Sequence, residues 1–128
     1  MTDSLPGKVY DIIAGKIIEN IRDLGDIMMK PKDFAMPTIE NRLGRASCTI
    51  EWTRLLYDRG IILSDLIPKM ADTLSFLHDL VKDQKYEDGE DFIRGTILFK
   101  IVKSATYFRK FPEDAIPTLE LFIRQEIK

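Results

Sequence analysis

The residue best placed to do chemistry in this chain is Arg94, inside the stretch YEDGEDFIRGTIL, where acidic residues around Gly89 precede an apolar run. A guanidinium at the edge of apolar surface recognises a carboxylate through charged, directional hydrogen bonds. That is binding chemistry, and the other candidates point the same way. The EDGED cluster fails as a calcium loop: with Gly89 at the sixth position, Gln84 falls first, Tyr86 third and Gly95 twelfth, where carboxylates are required. It reads instead as a helix start, with Asp91 as cap and acids at the positive end of the dipole. His78 is the sole histidine and has no second ligand at metal spacing, so it is expected on the surface or partly packed. Cys48, between Ser47 and Thr49, has no histidine nearby and is expected to be a packed thiol rather than a nucleophile. No Ser/His/Asp order, phosphate loop or dinucleotide fingerprint is present, so neither an enzyme nor a cofactor is expected.

The elements that carry these residues follow from periodicity. Val9, Ile13, Ile17, Ile21, Leu24 and Met28 recur at intervals of three and four, one face of a helix from Leu5 to Met28. Asp3 or Ser4 can cap it, and Pro6 suits its first turn. KPKDFAMP breaks the pattern, Thr38 is a natural cap for a second helix, and Gly60 marks its end. A third helix, capped by Ser64 with Pro68 in its first turn, carries Leu66, Ile67, Met70, Leu74, Leu77 and Val81 on one stripe. Phe76 and Leu80 fall roughly 100° to 140° from that stripe's centre and form a lateral apolar patch. Either the second helix covers this patch, or it stays open beside Arg94 as a groove for an amphipathic helix. The fourth helix, from near Asp91 to Phe108, is apolar on most sides and is expected in the middle of a bundle. A last short helix follows Pro117, with Leu119, Phe122, Ile123 and Ile127 inward.

Bulk composition sets the outer bounds. A chain of 128 residues, 45% hydrophobic and 31% charged, is expected to form one all-α domain over 1–128 with its own core. A formal charge of -2 argues against nucleic acid as the main partner. Basic residues do gather as Arg42 with Arg45, and as Lys100, Lys103, Arg109 and Lys110 around Tyr107 and Phe108. The alternative function is therefore a helical scaffold or small subunit of a nucleic-acid-associated assembly. A single cysteine closes no disulfide within the chain, which favours a reducing, cytoplasmic compartment. MTDSLPGKVY lacks the apolar core of a signal peptide, and no apolar run approaches the roughly 20 residues of a membrane span.

In its order of features the chain resembles the Bcl-two family of apoptosis regulators, helical bundles with a surface groove for the Bcl-homology-three helix of pro-death proteins. The family's central helix opens with Asn-Trp-Gly-Arg, and Asp91, Phe92, Ile93 and Arg94 fit that frame, with Gly89 two residues ahead. The second helix looks like the family's own homology-three segment, with Leu43, Ala46 and Ile50 at its apolar positions and Ser47-Cys48 in place of Gly-Asp. KVYDII and ILSDLIPKMADTLSF are closest in character to divergent members encoded by large DNA viruses. The resemblance runs from Val9 to Phe108.

It implies a virus-encoded, Bcl-two-like inhibitor of apoptosis that sequesters pro-apoptotic helices of the host. Arg94 would meet the ligand's aspartate. Asp91, Phe92, Phe76, Asp79, Leu80 and Ile50 would line the groove, with Thr96, Ile97 and Ile101 on its floor. Ile93 stands where the family has a glycine, which narrows the groove and restricts the ligands, although Gly95 restores some room. The chain ends at FIRQEIK without a hydrophobic anchor, so the expected location is cytoplasmic and peripheral to mitochondria rather than inserted. An open apolar groove is also a patch that a second copy could cover, which leaves a homodimer open.

Overall fold

A computed structural model of the chain describes residues 5–63, 65–96, 98–100 and 102–103. Among these residues the only regular structure is helical: α1 Leu5–Met29, α2 Met36–Asp58, α3 Leu66–Lys82 and α4 Tyr86–Arg94. A further helical turn begins at Leu98. The sequence-predicted last helix around residues 117–127 and the basic residues Arg109 and Lys110 lie outside the described residues.

α1 forms where its apolar residues repeat, and Ile13, Ile17, Ile21, Leu24 and Met28 are buried along one face, joined by Ile18 and Ile27. Each such side chain contributes about 1.5–3 kcal/mol by leaving water. A single 3-10 turn at Pro31–Asp33 reverses the chain into α2. That helix starts at Met36, two residues before the expected cap Thr38. Extended Ala35 precedes it, and Pro37 occupies the first turn, where its missing N–H is not needed. α3 has Asp65 at its N-cap position, but the Asp65 carboxylate accepts from the Tyr57 hydroxyl at 2.5 Å instead of capping the helix. The predicted cap Ser64 lies outside the described residues.

Gly60 ends α2 as its position predicts, at φ +74° in the left-handed region. Its N–H donates to Tyr57 O at 3.0 Å, and the next N–H, of Ile61, reaches back to Leu56 O at 2.9 Å. Gln84 repeats this cap after α3 at φ +59°, with Lys85 N–H on Leu80 O at 2.8 Å. An added Cβ at Gly60 meets open space, so only the backbone strain counts there. Gly60→Ala should lose about 1 kcal/mol of stability in urea unfolding, with no change of slope. An unchanged midpoint would show that the left-handed turn is not strained.

α1, α2 and α3 pack on one another as a three-helix unit, and α4 closes against α1 and α3. Arg42 near the start of α2 donates to Asp23 O late in α1 at 3.0 Å, so these two helices are antiparallel. Ser47 meets His78 and Arg54 meets Asp72, which makes α2 and α3 antiparallel as well. The fourth helix departs from expectation. It begins at Tyr86, so Asp91 stands mid-helix rather than as cap, and it stops at Arg94. Gly95 N–H closes the last turn on Asp91 O. The Thr96 hydroxyl donates to Ile93 O at 3.1 Å and accepts the Leu98 N–H at 3.1 Å, capping a new helical turn. Among the described residues α1 and α3 each pack against the other three helices, while residues 104–108 of the predicted fourth helix lie outside the described residues.

Candidate functional site

α4 divides its side chains among three surroundings. Gly89 and Ile93 face the core and are buried. Phe92 turns to one side, where its ring meets Phe76 edge to face at a centroid distance of 5.1 Å. Arg94, two residues on and roughly 200° around the helix, faces another way. It lines a cleft of about 470 Å³ bounded by the end of α1, the turn after it and the segment beyond Thr96. The floor is apolar, made by Met29, Phe34, Phe99 and Val102, and the rim carries Asp26, Lys30, Asp33, Arg94 and Lys103.

The rim is held by weak, replaceable contacts. Arg94 Nε donates to Glu90 Oε1 at 2.8 Å, an exposed pair one turn apart. Such pairs contribute only about 0.3–0.5 kcal/mol. The two Nη groups have no hydrogen-bond partner among the described residues. The guanidinium and Lys103 Nζ both approach the Phe99 ring, at 5.8 Å and 5.4 Å from its centroid. Across the cleft Arg42 stacks over Phe34 at 4.6 Å, which fixes that ring in the wall.

Burial raises the Asp26 carboxyl above its ordinary value of 3.8, although Arg22, Arg42 and Lys30 pull the other way. The folded protein therefore holds this proton more tightly than the unfolded chain. The ionised form, dominant above the folded pKa, opposes folding. Asp26→Asn should raise stability at pH 7, and the gain should shrink as the pH falls through the carboxylate range. A variant less stable than the parent at pH 7 would mean that the attraction to the arginines outweighs the burial.

The residues predicted for one groove are distributed over several surroundings. Leu80 and Ile50 belong to the core, so the lateral patch predicted on α3 is half covered. Phe76 remains exposed against Phe92, away from the Arg94 cleft. Asp79 and Asp91 are solvent-exposed, and the Thr96 hydroxyl is engaged with backbone. Ile97 and Ile101 lie outside the described residues. Cys48 is exposed, not packed, because the buried positions Ala46, Thr49, Ile50 and Thr53 occupy the other side of α2. The floor residues Met29 and Phe34 escaped sequence reasoning. Phe34 in the KPKDF loop was their only signal, a large ring in an otherwise polar turn.

Tertiary packing also joins three residues that sequence order does not. His78 Nδ1 lies 3.3 Å from Asp79 Oδ1 and its Nε2 lies 3.1 Å from Ser47 Oγ. Since a carboxylate only accepts, Nδ1 carries the proton in the neutral ring and Nε2 accepts from the serine. The connectivity is that of a hydrolase triad, yet Ser47 sits mid-helix, where backbone N–H groups are spent on the helix and none is free to hold an oxyanion. Asp79 is also well solvated. The arrangement is a polar clasp between α2 and α3. Among the described residues no His, Cys, Asp or Glu side chains gather as a metal site, and no helix is long and apolar enough to cross a membrane.

The described chain is thus an all-α helical bundle with a mixed apolar and cationic cleft beside Arg94. Comparison with protein families, with characterised proteins and with solved structures finds no match in any of the three.

Proposed function

We propose that this protein is a helix-binding module of Bcl-two type, an inhibitor of apoptosis that sequesters the Bcl-homology-three helix of host pro-apoptotic proteins. What supports the reading, beside the resemblance around Arg94, is one observation: Arg94 stands at the rim of an apolar cleft with both Nη groups unengaged by the described residues. An amphipathic helix would set apolar anchors against Met29, Phe34, Phe99 and Val102 while its carboxylate meets Arg94. The charged hydrogen bond formed contributes about 1.5–3 kcal/mol, several times the Glu90 pair it replaces. The occupied surface is therefore the Arg94 cleft. A groove through Leu80 and Ile50 is not part of the proposal, because both side chains are core.

The test is calorimetric titration with a panel of Bcl-homology-three peptides. Saturable binding is expected, weakened about 10- to 100-fold by Arg94→Ala. Full affinity in that variant, or no binding across the panel, would overturn the reading.

One observation favours the nucleic-acid alternative. Arg94 and Lys103 flank the Phe99 ring, and cations beside an aromatic face also suit a stacked base. Retention of single-stranded nucleic acid that falls steeply with salt would favour it. Asp26 and Asp33 on the same rim oppose a polyanion, so the peptide helix is the better fit.

A further inference from the structure

A second surface shares no residue with the Arg94 cleft. Along α2, Gly44, Cys48, Trp52 and Leu55 recur at intervals of three and four and point away from the core, opposite buried Ala46, Ile50 and Thr53. Trp52 is 51% exposed and Leu55 44% exposed, large apolar areas to leave in water. The stripe also has a charge pattern. Arg45 and Glu51 stand three residues either side of Cys48, both exposed, and neither side chain has a hydrogen-bond or ion-pair partner among the described residues. Trp52 and Gly44 are likewise equidistant from Cys48, and a Cβ added at Gly44 meets nothing. A large ring and an empty notch, a cation and an anion, are thus disposed symmetrically about one cysteine.

Such a face is complementary to itself. Two copies of α2 crossing antiparallel about a twofold axis at Cys48 bring Trp52 of each copy level with Gly44 and Arg45 of the other. They also bring Glu51 level with the other copy's Arg45. The small side chains at Gly44 and Cys48 allow close approach. The cation then has both an aromatic face and a carboxylate within reach, and each contact occurs twice. We infer that the protein forms a twofold homodimer through the solvent face of α2, with Trp52 as the anchor and Arg45 and Glu51 as the intermolecular charge pair. This inference is independent of the peptide cleft.

The test is sedimentation equilibrium of the full chain under reducing conditions, with circular dichroism to verify folding of each variant. The expected result is a dimer that Trp52→Ala weakens at least roughly thirtyfold, as for a buried interface tryptophan. Arg45→Glu and Glu51→Arg should each weaken association, while the double variant, carrying both swaps, should restore it. A face that merely lost charge would not recover in this way. Copper(II)–phenanthroline in air, with copper as the one-electron carrier and dissolved oxygen as the terminal acceptor of the two electrons and two protons, should convert the Cys48 thiols of a dimer to one intermolecular disulfide, seen on a non-reducing gel. A monomer at roughly 100 μM, or a dimer indifferent to Trp52→Ala and unrescued by the double swap, would overturn the inference.

Discussion

Ile17→Ala should lower the unfolding free energy by about 3–4 kcal/mol, while Ile12→Ala, little more than one turn away in the same helix, should change it by less than about 0.5 kcal/mol. Both substitutions remove the same atoms from α1. Ile17 is fully buried in the core cluster, so truncation forfeits its transfer free energy and leaves a cavity that rigid neighbours close only in part. Ile12 is 54% exposed, and alanine's better helix propensity offsets what little it loses. Urea unfolding at pH 7 reads both, provided the slope stays constant. Equal losses at the two positions would mean that something covers the outer face of α1, and the assignment of core and surface would have to be redrawn.

The second large effect lies where α4 meets α1. A Cβ at Gly89 would stand inside van der Waals contact with the Met28 sulfur, with Cε at 2.9 Å and Cγ at 3.1 Å, and Met28 is itself buried. Two terms of opposite sign compete in Gly89→Ala. Helix propensity favours alanine by about 1 kcal/mol, and overpacking a filled core opposes it by about 1–3 kcal/mol. The second wins because Met28 has no open side to swing into, so a net loss of about 1–2 kcal/mol is expected. The background decides the sign. With Met28→Ala already in place the clash is gone, and Gly89→Ala should become stabilising by roughly its propensity gain, giving a coupling of about 2–3 kcal/mol in the double-mutant cycle. Additive effects would show that the glycine is not there for close approach. Gly25 supplies the contrast. Its added Cβ meets Val102 Cγ2 at 2.6 Å, but Val102 is only half-buried and can yield, so Gly25→Ala should stay within about 1 kcal/mol of the parent.

These predictions rest on features of unequal legibility in the chain. The inner face of α1 could be read from the spacing of Ile13, Ile17, Ile21, Leu24 and Met28, and the stripe of α3 from Ile67, Met70, Leu74, Leu77 and Val81, because each repeat is local and follows the helix period. Gly60 announced the end of α2 for an equally local reason, the left-handed residue that such a cap demands. The boundary of α4 was less legible. Asp91 has the chemistry of a cap, but the helix that grows from Tyr86 includes it, and Thr96 performs the capping five residues later.

The site divides along the same line. That Arg94 is a lone cation among apolar neighbours is evident in one dimension, and so is the amphipathic character of α1 and α3. Which apolar residues it shares a cleft with is not, because that depends on how α4 is rotated against α1 and α3. Packing of Gly89 on Met28 and of Ile93 in the core sets that rotation, sends Phe92 toward Phe76 and turns Arg94 toward Phe34 and Phe99. Leu80 and Ile50 likewise became core only when α2 and α3 closed over them. Ser47 and His78 met only through the same closure, 31 residues apart. Helical periodicity is a property of neighbours in the chain and was determined by the sequence alone. The surfaces those helices present to one another, and so the membership of the cleft, came from contacts between residues distant in sequence, which no local pattern encodes.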